Sequence, residues 1–250
     1  MNSPKKSLGQ NFLIDKNIID KIVNILELKN KNILEIGPGT GNLTKYILDR
    51  NPRKVIVVEK DNDLVKDLKL KFKEKLNIIN DDILNVDETS LFKEKTLVFG
   101  NLPYNISTEI LSKWIINLKE NFWFENLILM FQKEVADRII SKFNSSKYGR
   151  LSVISNWKLD IKKICDIRPG SFFPRPKVDS TLLFLKPRNN FLKLKDSKKL
   201  EKITKIFFNK MRKKNKKKII KNFSVSQIKK YNPEQFYDLR AENIENQIFY

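Results

Sequence analysis

An α/β fold built on a parallel sheet is predicted by two observations. From Asn32 onward, short apolar runs rich in Val, Ile, Leu and Phe alternate with stretches whose apolar residues recur three and four apart. Each run is flanked by polar turn residues, and runs that are apolar throughout belong in a sheet covered on both faces. The 250 residues suffice for one substantial domain with room for a small appendage.

Taken in order, strands are expected at Asn32–Ile36, Val55–Glu59, Leu76–Asn80, Thr96–Phe99 and Leu127–Phe131. Helices are expected between and after them at Asn42–Asp49, Asp63–Phe72, Thr108–Leu118 and Glu134–Phe143, each with the apolar stripe of a helix laid on a sheet. Trp157–Ile167 and Ser180–Leu185 predict two further strands, joined by a loop that Pro169, Pro174 and Pro176 stiffen. After Pro187 the pattern turns Lys-rich and helical, which sets a domain boundary there and divides the chain into 1–187 and 188–250. A low-complexity stretch is confined to Lys210–Lys221.

The formal net charge of +21 favours polyanionic partners such as nucleic acid or an anionic membrane. Lys, Asn and Ile can all be encoded by A and T alone, so an AT-rich genome would inflate that charge. With no His, a His-based zinc site, a Ser-His-Asp triad and a Cys-His dyad are excluded together, and Cys165 has no partner for an internal disulfide. No metal is expected. Met1–Phe12 is polar, and no later run reaches the ~18–20 apolar residues that span a bilayer. A cytoplasmic setting is expected, with no membrane partner.

Leu34-Glu35-Ile36-Gly37-Pro38-Gly39-Thr40-Gly41 closes the first strand and opens a helix, the place where glycines permit a tight turn and close approach by a ligand. Its G-x-G-x-G spacing differs from the dinucleotide fingerprint, and Pro38 removes an N–H that a pyrophosphate would use. Glu59 follows about 20 residues after the turn, where an acid accepts from both ribose hydroxyls. Asp82 follows the third strand, where a carboxylate can accept from an adenine amine. Adenosine without phosphates fits best, and S-adenosyl-L-methionine satisfies turn, ribose and base. The fold expected is a Rossmann-like S-adenosylmethionine-dependent methyltransferase domain with a small C-terminal helical domain.

Phe99-Gly100-Asn101-Leu102-Pro103-Tyr104-Asn105 follows the fourth strand and resembles the Asn/Asp-Pro-Pro-Tyr motif of amino-methyltransferases. An adenine amine is a poor nucleophile because its lone pair is delocalised into the ring. Neutral acceptors at the Asn101 side-chain oxygen and the Leu102 carbonyl would hold both amine hydrogens, which is catalysis by position and electrostatics without a tuned base. Pro103 fixes the backbone, and Tyr104 would stack on a base taken out of its helix.

Several segments together are similar to the ribosomal RNA small-subunit adenine dimethyltransferase family: Gly9-Gln10-Asn11-Phe12-Leu13, Glu35-Ile36-Gly37-Pro38-Gly39, Asn101 to Ser107 and Pro174 to Ser180. Gln132-Lys133-Glu134-Val135, Tyr148 to Ser152 and Arg240-Ala241-Glu242-Asn243 match as well. The resemblance implies dimethylation of two adjacent adenosines near the 3′ end of small-subunit rRNA, within an assembling 30S particle. It implies cofactor contacts at Asn11, Leu13, Gly37, Glu59, Asp82 and Asn101, and an aromatic, Phe172, facing Tyr104 across the flipped base. The family's compact Arg-Arg-Lys segment has only a loose counterpart in Met211-Arg212-Lys213-Lys214-Asn215. The 188–250 domain is expected to bind rRNA, and with no dimer signature the chain is expected to act as a monomer. Two rivals stay open: the sister family that modifies one adenosine of large-subunit rRNA, and a nucleic-acid-binding assembly or transcription factor without catalysis.

Overall fold

The computed structural model describes residues 4–5, 8–118, 121–209, 214–224, 226–228 and 233–250. Its centre is a 7-stranded sheet. The strands are β2 (Asn32–Ile36), β3 (Lys54–Val58), β4 (Asn77–Ile79), β5 (Thr96–Asn101), β6 (Phe124–Gln132), β7 (Leu159–Ile167) and β9 (Ser180–Pro187), ordered β4-β3-β2-β5-β6-β9-β7. β4, β3, β2, β5 and β6 run parallel, while β9 is antiparallel to both β6 and β7. Two short strands, β1 (Phe12–Leu13) and β8 (Phe172–Phe173), pair apart from it. This is the Rossmann-like sheet expected from the alternation of runs.

The central strands read as continuous apolar runs because helices cover both faces. One apolar cluster joins β2 and β3 side chains such as Ile33 and Val57 to α1 (Lys16–Val23), α2 (Asn42–Leu48) and α3 (Asn62–Phe72). The other joins Leu34, Val98 and Leu129 to α4 (Ser107–Asn117), α5 (Lys133–Ile140) and α6 (Arg150–Lys158). Leu200 and Phe207 of α7 (Ser197–Phe208), Ile219 of α8 (Lys216–Asn222) and Ala241, Ile244 and Phe249 belong to that second cluster. The helical segment after Pro187 therefore packs into the same core as α4 and α6. Met211, Arg212 and Lys213 lie outside the described residues.

Three expectations are corrected. Trp157 and Lys158, read as the start of a strand, instead close α6, and β7 begins at Leu159. That helix buries Ser152, Val153, Ile154, Ser155, Trp157 and Lys158, so it shows no polar stripe from which a helical period could be read. The helix after β6 stops at Ile140, short of Phe143. The strand expected to end at Phe99 runs on to Asn101, so the Asn-Leu-Pro-Tyr motif starts inside the sheet. Lys158 is buried at the end of α6, where its ammonium donates to the carbonyls of Ile115 and Leu118 and lies 3.9 Å from the Trp157 ring centroid. A cation there meets the carbonyls at the C-terminus of α4, and burial lowers its pKa to about 8.

Candidate active site

The site forms where the sheet reverses its direction of winding. The chain leaves β2 for β3 on one side and leaves the neighbouring β5 for β6 on the other, which opens a crevice between β2 and β5 at the strands' carboxyl ends. Gly37 follows β2 and Asn101 ends β5, and Ile36 stands opposite Gly100 in the ladder. Gly37, Gly39 and Gly41 adopt φ of 64°, 57° and 75°, a region that side chains disfavour. At Gly39 space demands glycine too, because a Cβ would stand 2.6 Å from Phe12 Cδ1. The Gly37 N–H donates to Val58 O at 2.9 Å, tying the turn to β3.

An N-terminal arm lies across this turn. The Asn42 side chain donates to Leu13 O at 2.8 Å, and Gln10 Nε2 and Lys5 Nζ donate to Asp61 at 2.8 and 2.6 Å. The arm's β1 pairs with β8, which puts Leu13 opposite Phe172 and Phe12 opposite Phe173. Ser171 O accepts from Ile14 N–H at 2.9 Å, continuing the seam.

Glu59 stands just past β3, buried at 7% exposure. Its Oε1 accepts from Asp61 N–H at 2.9 Å and its Oε2 from Gly39 N–H at 3.3 Å. Burial raises its pKa, while those N–H groups hold it down. A carboxylate offers about four acceptor sites, so these bonds leave capacity for two hydroxyls. Asp82 accepts from Leu84 N–H at 3.0 Å and from Lys60 Nζ at 2.9 Å. The Leu84 N–H is the main reason its pKa lies below the ordinary range, with Lys60 adding to it against a burial penalty.

Asn101 carries the decisive geometry. Its Nδ2 donates to the Asn11 carbonyl at 2.6 Å, and only the nitrogen end of an amide can do so, which fixes the orientation. Its Oδ1 is then buried without a hydrogen-bond partner among the described residues. An orphaned buried acceptor costs about 1–3 kcal/mol and is set to receive an N–H from a ligand. Leu102 is buried in the core, and Pro103 O accepts from Ile106 and Ser107 N–H at 3.1 and 3.0 Å, turning the chain into α4. The Tyr104 hydroxyl lies 2.6 Å from Ser180 Oγ. Burial raises its pKa, so the phenol stays neutral. A glycine turn, a buried acid with free acceptor sites, a second acid and an orphaned acceptor fit S-adenosylmethionine beside a target amine.

The sequence matches the profile described as "Ribosomal RNA adenine dimethylase" over residues 1–245. The chain belongs to the ribosomal RNA adenine dimethylase family. Ribosomal RNA small subunit methyltransferase A of Pelagibacter ubique is 59% identical over 249 residues, spanning 98% of this chain and 94% of that protein. The protein of the same name from a Wolbachia of Drosophila simulans is 50% identical over 74% of this chain and 68% of its own. Among solved structures, a dimethyladenosine transferase from Plasmodium falciparum superposes with a TM-score of 0.76 at 26% identity, covering 95% of this chain and 94% of that one. A 23S rRNA methyltransferase, ErmE, shares the fold with a TM-score of 0.65 at 24% identity, covering 93% and 96%.

In this adenine dimethylase, Asn11, Leu13, Gly37, Glu59, Asp82 and Asn101 line one cavity. Leu102, Pro103 and Tyr104 line it as well. Phe172 does not: it is 1% exposed and packs in the core with Leu13, Ile167 and Leu182. Alternation along β8 explains this, because burying Phe172 turns Phe173 outward to 59% exposure. The sequence assigns no site role to Asp61, whose partner Gln10 lies 51 residues away, or to Ser180, which it places only at the start of a strand and the end of a motif. Neither carries a local signal of its contact. Among the described residues, no helix is long and apolar enough to cross a membrane, and no group of His, Cys, Asp and Glu could hold a metal ion.

Glu35 also lines the cavity and is fully buried, accepting from Thr44 Oγ1 at 2.7 Å. Burial lifts its pKa to about 7, with the nearby Glu59 charge adding to the shift against the Thr44 bond. Between its ordinary pKa of 4.5 and about 7 the folded state holds a proton that the unfolded state has lost. Stability from this group is therefore lost as pH rises through that window, by at most about 3 kcal/mol. Glu35→Gln keeps the Thr44 bond and is expected to flatten the fall in melting temperature between pH 5 and 8. Parallel pH profiles for the two proteins would contradict this.

Proposed function

We propose that this protein methylates the exocyclic amines of two adjacent adenosines near the 3′ end of small-subunit rRNA, twice each, using S-adenosylmethionine. The membership of the family, the identity with proteins named ribosomal RNA small subunit methyltransferase A and the geometry at Asn101 support this reading. The orphaned Asn101 Oδ1 is the observation that carries it. We assign the substrate state to the assembling 30S particle, the location to the cytoplasm and the working form to the monomer.

Bound S-adenosylmethionine supplies an electrophilic methyl on its sulfonium. Glu59 accepts from the ribose hydroxyls, Asp82 from the adenine amine, and the arm residues Asn11 and Leu13 close over the Gly37 turn. Asn101 Oδ1 and the Leu102 carbonyl hold the two hydrogens of the target amine. As the S–CH3 bond breaks to leave a neutral thioether and the N–CH3 bond forms, the target nitrogen would gain positive charge that two fixed neutral acceptors stabilise without reorganising, and one N–H proton would then pass to solvent. A monomethylated amine keeps one hydrogen, so the second transfer engages one acceptor fewer. Tyr104 stacks on the extruded base, and the buried Phe172 anchors β8 behind the arm. The net positive charge of 1–187 and 188–250 together grips phosphates, with a salt dependence that steepens with each contact.

The test offers labelled S-adenosylmethionine with unmethylated small subunits, large-subunit rRNA and DNA. Label confined to small-subunit rRNA is expected, and label on large-subunit rRNA would move the protein to the sister activity. Tyr104→Ala is expected to lower turnover on RNA by about 10- to 100-fold, in line with the ~1–3 kcal/mol of a stacked base. Its affinity for S-adenosylmethionine, followed by calorimetry, should match the wild type. A parallel loss of cofactor affinity would refute the assignment of Tyr104 to the base.

A further inference from the structure

Stacking on a base needs the face of an aromatic ring and no hydroxyl, yet position 104 carries tyrosine. Its hydroxyl lies 2.6 Å from Ser180 Oγ, a side chain with 0% exposure. The two residues belong to different parts of the fold. Tyr104 sits on the turn between β5 and α4, whereas Ser180 opens β9, opposite Gln132 of β6 and Ile167 of β7. The next residue, Thr181, donates to Asp166 Oδ1 at 2.6 Å. Asp166 also accepts from Lys163 at 2.8 Å and from Lys133. Burial alone would raise the Asp166 pKa, but these donors hold it well below the usual carboxylate range, and the Thr181 bond ties the start of β9 to this ion-paired carboxylate.

The geometry points to Ser180 as a positioning residue that fixes the plane of the Tyr104 ring for the target base. A tyrosine side chain turns about two torsions, and the turn that carries it is braced by the bonds to Pro103 O at one end. Holding the far tip of the ring on a three-strand junction removes the remaining freedom. Small errors of orientation at a reacting centre cost up to about 100-fold in rate. This inference rests on the proposed function, since it assigns Tyr104 to the base.

The test compares wild type, Ser180→Ala, Tyr104→Phe and the double variant on unmethylated small subunits, following kcat, KM for RNA and affinity for S-adenosylmethionine. Tyr104→Phe breaks the same bond without touching the buried strand, so a misfolded Ser180→Ala does not remove the test. The expected result is a loss of about 10-fold in kcat/KM for each single variant, the size of one hydrogen bond, and no further loss in the double. Cofactor affinity should hold within about twofold in every folded variant. Wild-type kinetics in Tyr104→Phe overturn the inference, and so do losses that multiply in the double variant. An active wild type with an uncoupled pair overturns this inference alone, whereas a wild type that methylates no adenosine overturns the proposed function beneath it.

Discussion

Asn101→Ala is expected to lower methyl transfer to small-subunit rRNA by about two to three orders of magnitude, the loss typical when one preorganised polar group at a reacting centre is removed. The variant deletes the buried Oδ1 acceptor and also the Nδ2 donor that binds the Asn11 carbonyl at 2.6 Å. Two effects are thus superimposed, and affinity for S-adenosylmethionine separates them. The arm keeps its other ties, from Asn42 to Leu13 and from Gln10 and Lys5 to Asp61, so cofactor affinity is expected to fall far less than turnover. Single-turnover rates at saturating cofactor read the chemical step. A rate within about tenfold of wild type would show that the amine is activated elsewhere. If the inactive variant still supports subunit assembly, binding to the ribosome is separable from chemistry.

Glu59→Ala is expected to weaken S-adenosylmethionine binding by about 100-fold or more. Hydrogen bonds to a charged acceptor are worth about 1.5–3 kcal/mol each, and Glu59 is placed to take two from one ribose. The substitution also strips acceptors from Gly39 N–H and Asp61 N–H, the first of which belongs to the glycine turn. Stability is expected to fall as well, because two buried N–H groups lose their acceptor, offset in part by the removal of a carboxyl whose charged form burial disfavours. Equal calorimetric affinities for wild type and Glu59→Ala would remove the ribose assignment and with it the reading of the turn.

The sheet was legible because its central strands are predominantly apolar and separated by amphipathic helices, the arrangement in which periodicity is most informative. The glycine turn, Glu59 and the Asn101 motif could be placed from their positions after successive strands. Contacts that depend on register or distant partners were not legible. Asp61 meets Gln10 and Lys5 across the fold, and Ser180 reaches Tyr104 across 76 residues. Phe172 illustrates the limit most clearly: a motif places an aromatic near the site, but the two-residue alternation of β8 decides which of Phe172 and Phe173 faces the core. α6 was misread at its end for the opposite reason, since a helix buried on most sides resembles a buried strand.

The most direct test is the identity of the product. Purified protein is incubated with S-adenosylmethionine and unmethylated small subunits, the rRNA is digested, and the methylated nucleosides are identified and mapped. N6,N6-dimethyladenosine at two adjacent positions near the 3′ end is the expected result, formed about two to three orders of magnitude more slowly when Asn101→Ala replaces the wild type. Methylation of any other base, or dimethyladenosine formed equally well by Asn101→Ala, would contradict the assignment of Asn101 as the acceptor that presents the adenine amine.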